Sequence, residues 1–390
     1  MTNRRDTVIV LNLDAKNRKK SDRRQTPNRR KPRIIAWLTR FRYQGEERRD
    51  AKRRTRLIDR RLKQRFLELF KKRTLAGLVG LTVSPDGFGV ARIVWRGEGE
   101  TPILKECFFV SATASAAEGT EWFSLNQTLR ARELHHGRFA GLLFPGQYAL
   151  FPAEAPQVAR SELASAMKWR IKDRLEFPVK EAVVEVFDLP QKKNPGQPEM
   201  VYVVAAREAV IKECFNLFHQ LNLPLVAIDI LELALRNLTA LLPDDAEGVG
   251  LLYLGRTDGL VQVTRGGVTY LARPLDFGVD QLLESLSGRA DAGEEELAAS
   301  SVIDSIVLEI QRTLDYYESH FMQPSVSCVY VAPLPVVFHG LLAVLADKLG
   351  MRLKELVLSK ILEVEAKIDD IDLARCLPAI GAALRQDKTK

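Results

Sequence analysis

The sequence predicts an α/β protein of two similar halves facing a cleft, with a small α/β insert in the first half and a basic arm ahead of both. Three observations predict it. Each half opens on a strand-turn-strand hairpin, Leu78–Val94 around Ser84–Gly87 and Gly250–Ala272 around Gly255–Gly259 and Gly266–Gly267. Each hairpin is followed by more strands and then by helices, so the element order repeats. Between the halves, Pro243–Gly248 (PDDAEG) is the strongest internal boundary signal.

Charge divides the chain as clearly as the pattern does. The 390 residues carry a net +8, but residues 1–75 hold 27 Lys and Arg against 8 Asp and Glu, a net +19. The rest is therefore acidic, with a net charge of −11. A hydrophobic content of 46% supports a large core and two or three domains. Cys107, Cys214, Cys328 and Cys376 lie far apart with no CxxC pair, which argues against a disulfide framework or a zinc site and suits a reducing compartment. No apolar run reaches the roughly 20 residues that span a bilayer. Val8–Leu13 is too short for a signal-peptide core. The expectation is a cytoplasmic protein whose membrane contact is peripheral.

In chain order, residues 1–74 form the arm. Asp22–Arg33 and Glu47–Arg56 lack the apolar content that would offset the entropy of ordering, so disorder is expected there. Residues 57–72 read as a basic amphipathic helix with Leu62, Phe66, Leu69 and Phe70 on one side. Such an arm suits anionic lipid headgroups or an acidic partner surface, and equally a solvated extension. Nucleic acid is not the expected partner, because the body offers no helix-turn-helix and no aromatic stacking module.

Residues 75–245 form the first half. After its hairpin come a strand over Pro102–Val110 and another over Phe139–Phe144, continued by Tyr148–Phe151. A helix capped by Ser161 runs to Leu175, strands follow at Glu181–Leu189 and Met200–Ala206, and a helix at Arg207–Asn222. The span 161–222 reads as the insert. Leu225–Ile230 is a strand leading into the helix Leu231–Leu242.

Residues 246–386 form the second half. Beyond its hairpin and an acidic loop lies a long helix, Ser301–Phe321, with Ser301 and Asp304 placed as a cap pair. Its stripe of Val302, Ile306, Ile310, Leu314, Tyr317 and Phe321 reads as a core face. The strand Val326–Val331 is broken by Pro333-Leu334-Pro335, and helices follow at Val336–Leu349 and Ala374–Leu384.

Four stretches carry a family resemblance: Met167–Pro190, Leu225–Leu238, Glu309–Ser319 and Leu377–Arg385. In this order they resemble PilM, the actin-like cytoplasmic protein of type IV pilus machinery, and in particular the MshI group, which serves mannose-sensitive haemagglutinin (MSHA) pili. The resemblance covers residues 75–386 and implies two actin-like, ribonuclease-H-like halves. It also implies a cytoplasmic adaptor that docks the short N-terminal tail of a PilN-like inner-membrane partner, MshJ in the MSHA system, and contacts the pilus assembly ATPase. The docking groove is then expected between the first hairpin domain and the insert.

The resemblance also supplies a test for a nucleotide site. In members that bind nucleotide, each half has Asp-x-Gly at the end of its first strand, the aspartate holding Mg²⁺ and the turn amides holding phosphate. Here Thr82 stands at the first aspartate position and Ser84 at its glycine; Tyr253 fills the second, where Gly255 is kept. The Gly-Gly turn expected after the late strand is replaced by Pro333 and Pro335, which cannot donate an amide. No ATP, magnesium or other cofactor is therefore expected, and no catalytic or metal-binding residue is assigned. His135-His136 lacks a nearby third ligand, and Asp258, which with Asp276 could be read as an acid/base pair, is more simply a turn residue.

The function expected is a non-catalytic scaffold. One alternative is an active ATP-binding actin-like protein of the pilus or type II secretion machinery. Another is a nucleic-acid or membrane-surface binder acting through the arm. Val8-Ile9-Val10-Leu11-Asn12-Leu13 resembles the Ile-Asn-Leu-Leu type of partner tail, so the arm is a candidate occupant of the same groove; the plainer reading is an apolar patch in a disordered arm.

Overall fold

A computed structural model gives the fold and describes residues 75–97, 99–112, 120–190 and 199–386. The expectations for the arm, including the helix over 57–72 and the segment Val8–Leu13, lie outside the described residues.

The first half begins with β1 (Leu78–Ser84), β2 (Gly87–Val94) and β3 (Ile103–Ser111), then α1 (Thr120–Ala131) and β4 (Arg138–Leu143). The insert consists of β5 (Tyr148–Glu154), α2 (Arg160–Arg170), β6 (Ala182–Asp188) and β7 (Met200–Arg207). The chain returns through α3 (Glu208–Gln220), β8 (Leu225–Ile230) and α4 (Leu231–Thr239). In the second half come β9 (Val249–Leu254), β10 (Gly259–Arg265), β11 (Val268–Leu275), α5 (Val279–Ser285), α6 (Glu294–Ala299) and α7 (Ser301–Phe321). It continues with β12 (Cys328–Val331), α8 (Leu341–Leu349) and β13 (Leu353–Glu355), and the chain closes with β14 (Glu363–Val364) and α9 (Asp370–Ala383).

Both large sheets have one topology. The first is ordered β14-β3-β2-β1-β4-β8 and the second β11-β10-β9-β12-β13. In each, three antiparallel strands are followed by two parallel ones on the far side of the first strand. This duplicated order is the actin-like α/β fold that the resemblance implied. The pairing explains the sequence pattern. β9 is central and buried along its whole length, so Val249–Leu254 reads as a continuous apolar run rather than an alternating one. At the β10–β11 turn, Gly266 and Gly267 take φ of 58° and 72°, the left-handed geometry that a two-residue hairpin demands.

Side-chain alternation builds apolar cores on both faces of each large sheet. Along β9, Leu252 and Leu254 face the outer helices with Ile303, Ile306 and Ile310 of α7, while Leu251 and Tyr253 face inward. Along β1, Val79 and Leu81 face Leu125 and Leu129 of α1 and Phe218 of α3, and Leu78 faces inward. Between the sheets lie α9, against β1 and β2, and α4, against β10 and β11, packed on each other. Their contact is close: a Cβ at Gly381 would overlap the Ala234 carbonyl, and Asn237 Nδ2 donates to Gly381 O at 2.9 Å.

Several boundaries differ from those the sequence predicts. The C-terminal segment was assigned to the second half, but β14 pairs with β3 and α9 packs on the first sheet. Small residues make this return possible, since Gly80 faces Ala379 with no room for a side chain. The insert was placed at 161–222, but its sheet, ordered β5-β7-β6, begins at Tyr148 and ends at Arg207. Tyr148–Phe151 therefore does not continue β4; it crosses to the small sheet, and α3 is a crossover packed against β4 and β8. Ser161 and Ser301 lie inside their helices, which start after Ala159 and Ser300 without side-chain caps. α1, α5, α6, β13 and β14 are additions to what the sequence predicts, the two strands being only three and two residues long and α6 beginning inside the expected acidic loop.

Candidate functional site

The two hairpin turns that the resemblance assigns to phosphate are each closed on themselves. In the first, Thr82 is 3% exposed and its Oγ1 donates to Gly89 O at 3.3 Å. A Cβ at Gly89 would stand 2.6 Å from that oxygen, so glycine is what lets the hydroxyl reach the carbonyl. Ser84 Oγ lies 2.7 Å from Asp86 Oδ1 and 2.9 Å from Gly87 O, so this side chain is occupied within its own turn. In the second turn, Gly255 N donates to Asp258 O at 2.8 Å, while Gly255 O accepts from Val279 N at 2.9 Å. Both backbone groups of the retained glycine are thereby committed.

Tyr253 stands one residue before that turn's leading Leu254-Gly255 step and is 7% exposed, within the apolar cluster between the halves that includes Leu251, Leu260 and Ile380. Burial pushes its phenol above the ordinary tyrosine range, followed by the carboxylates of Asp258 and Asp86. Asp86 belongs to the first turn, so the two turns come close enough to share an electric field. Burial likewise raises the Asp258 carboxyl. β12 lies beside β9, and Ala332 N donates to Leu252 O at 2.8 Å, which brings Pro333 and Pro335 to the same end of the second sheet as Tyr253 and Gly255. The fold thus gathers Tyr253, Gly255 and the two prolines, with Thr82 and Ser84 opposite. The rings of His135 and His136 touch at a tilt, their centroids 3.8 Å apart, and the His135 imidazole is lowered by burial first and then by His136. Among the described residues no cluster of three His, Cys, Asp or Glu could hold a metal ion.

A second polar centre escaped the sequence reading. Where the insert meets the two halves, Asp229 at the end of β8 pairs with Arg385 at 3.2 Å, and its other oxygen accepts from Ile230 N at 2.9 Å. Glu232, in the first turn of α4, is 3% exposed and accepts from Tyr148 Oη of β5. Burial lifts its carboxyl to about 7 against the lowering effect of that hydrogen bond, and the Asp229 charge adds to the lift. Gln262 of β10 donates to Glu232 O at 2.9 Å and to Thr269 Oγ1 at 3.0 Å. Tyr202 of β7 donates to Tyr270 O of β11 at 2.8 Å, tying the insert to the second half. The signal was present: Asp229 and Glu232 are two acids inside the apolar run Leu225–Leu235.

No family model matches the sequence. No curated protein matches it either. The fold is similar to a solved structure of a PilM–PilN type IV pilus biogenesis complex, with a TM-score of 0.61 and 19% identity over 79% of this chain and 97% of that one. A second solved structure, the cytoplasmic domain of EpsL, an inner-membrane component of the type II secretion system of Vibrio cholerae, aligns with a TM-score of 0.39 and 12% identity over 77% of this chain and 94% of that one. Among the described residues no helix is long and apolar enough to cross a membrane.

Proposed function

We propose that the chain is a non-catalytic adaptor of type IV pilus assembly of the MSHA kind, an MshI-like protein. In this reading it works on the cytoplasmic face of the inner membrane and docks the N-terminal tail of a PilN/MshJ-like partner. The observation that carries it is the buried Tyr253 phenol where a nucleotide-binding member would hold magnesium through an aspartate. A phenol kept neutral by burial offers a divalent cation no charge. The commitment of Gly255 N to Asp258 O and of Thr82 Oγ1 to Gly89 O supports the same reading, because those donors are spent inside the protein. A fold that keeps the cleft architecture without its polar equipment is kept for its surfaces.

The partner is supported by the likeness to PilM in its complex with PilN and by the four PilM-like stretches of the sequence. In this reading the partner tail docks between the first sheet and the insert, whose elements span residues 148–207. Contact with the assembly ATPase, and with anionic lipid through the basic arm, belongs to the same proposal.

Calorimetry on the full chain tests it, with Mg-ATP in one titration and a synthetic tail peptide of Ile-Asn-Leu-Leu type in another. The expected result is saturable heat with the peptide and none with Mg-ATP up to about 1 mM. Saturable Mg-ATP binding would replace the adaptor with the ATP-binding actin-like reading. Absence of peptide binding would remove the partner assignment.

A further inference from the structure

The insert does more than decorate the first half. One face of its sheet packs on α2 through Val184, Val186, Val201 and Val203. The other face carries Phe187, Tyr202 and Val204 onto Ile230 and Leu233 at the start of α4, with Phe321 of α7 packed alongside. With the Tyr202–Tyr270 hydrogen bond, the insert is braced across both halves. At the centre of that brace is one ionisable contact, Tyr148 Oη on Glu232.

The surroundings of Glu232 decide what that contact can do. Tyr148 faces it from β5, the Asp229 charge of β8 raises it, and its own charge is one of the lesser influences on the buried Tyr202 phenol of β7. Arg385, beyond α9, meets Asp229. The second half contributes the uncharged Gln262, bonded to the Glu232 carbonyl, and Thr269 beyond it. Among the described residues no Lys or Arg contacts the Glu232 carboxyl itself. A buried carboxyl without a cation, beside a second carboxylate, is held in its neutral form until the pH rises.

We propose that the Tyr148–Glu232 contact is a proton-dependent latch that holds the insert against the junction of the two halves. With Glu232 protonated, the junction is uncharged apart from the Asp229–Arg385 pair, and β5 stays seated. Ionisation places a second negative charge next to Asp229 in an enclosed site; the Tyr148 hydrogen bond favours the carboxylate but burial opposes it more strongly, and movement of β5, which lets water reach the carboxylate, relieves the excess. The direction follows from the raised carboxyl: the stabilisation is complete below about pH 4.3, the unfolded value, and is lost as pH rises through about 7. The latch is independent of which partner the chain docks or whether it binds nucleotide.

Hydrogen exchange on the full chain, corrected for intrinsic rates, tests the latch at the amides of Tyr148–Glu154 between about pH 6 and about pH 8. Wild-type protection should fall about tenfold over that interval, the effect of one proton lost per opening. Glu232→Gln, which keeps the shape and cannot ionise, should hold its protection within about twofold. Tyr148→Phe, which removes only the hydroxyl, should show low protection at both values. Constant wild-type protection, or an equal fall in Glu232→Gln, overturns the proposal. If Glu232→Gln does not fold, carboxyl-carbon NMR of the wild type decides: titration of Glu232 with a midpoint below about pH 5.5 overturns the latch, and one near 7 upholds it.

Discussion

Arg385 and Asp229 form an ion pair at 3.2 Å whose two side chains are almost wholly enclosed, and it joins the residue just past α9 to the end of β8. It is the charged bolt that fixes the returning C-terminal segment to the first half. A buried pair contributes little net stability against an apolar substitute, yet removing one partner strands the other charge. Arg385→Met should therefore lower unfolding stability by about 3–5 kcal/mol in urea denaturation, and Asp229→Asn together with Arg385→Met should recover part of the loss. A double variant no better than the single one would mean that the pair acts through packing.

The contact between α9 and α4 rests on the absence of a side chain at Gly381, where a Cβ would overlap the Ala234 carbonyl. Gly381→Ala should destabilise by about 1–3 kcal/mol, because both helices are enclosed between sheets and cannot part without opening the core. Thermal denaturation measures it. An unchanged Tm would show that the interhelical spacing is compliant.

Tyr253 separates a structural from a catalytic reading of the second turn. Tyr253→Phe should be tolerated within about 1 kcal/mol, since the ring fills the apolar cluster and no described residue hydrogen-bonds the hydroxyl. Tyr253→Asp, which supplies the carboxylate that the resemblance expects at this position in nucleotide-binding members, should lose about 3–5 kcal/mol and gain no Mg-ATP binding. Differential scanning calorimetry with and without Mg-ATP reads both effects. Stabilisation of Tyr253→Asp by Mg-ATP would show that one residue alone keeps the site silent.

Acid should release the Asp244 contact only at low pH. Its carboxyl is held down at about 2, chiefly by the Lys354 hydrogen bond and then by Tyr330 Oη at 2.6 Å. The same contacts raise Lys354, and the Tyr330 phenol is pushed up to about 12, by burial first. The sign follows from the lowered value: this stability is present above about pH 3.9, the unfolded value, and is lost as pH falls through about 2. Lys354→Met should lose it already at neutral pH and show a flatter acid-unfolding curve between about pH 4 and about pH 2. Equal curves would remove Asp244 from the acid response.

The candidate site was legible in residue identities and not in their contacts. Thr82, Tyr253, Pro333 and Pro335 could be compared with expected ligand positions only through the PilM resemblance, which supplies the offsets; the strand ends they are counted from follow from local pattern. That Gly255 N is spent on Asp258 O, and that Asp86 reaches the field of Tyr253 from the other half, depends on backbone geometry and on two hairpins about 170 residues apart. The junction around Glu232 was hidden for the same reason. Tyr148, Asp229, Glu232, Gln262 and Arg385 come from five different elements or segments, and no periodicity links them.

The residues alone carried two strand-hairpin halves of one element order, because alternation, glycine turns and amphipathic stripes are properties of neighbouring residues; that this order is the actin-like plan is what the PilM resemblance implied. The sequence also showed Thr82 and Tyr253, not aspartate, at the two hairpin positions to which the resemblance assigns a magnesium-holding aspartate. Only the tertiary structure decided that α9 and β14 belong to the first sheet, that the insert starts at Tyr148, and that Glu232 is enclosed without a cation. Those outcomes depend on which distant surfaces are small enough to meet, as Gly80 with Ala379 and Gly381 with Ala234, and on how much water the meeting leaves around a charge.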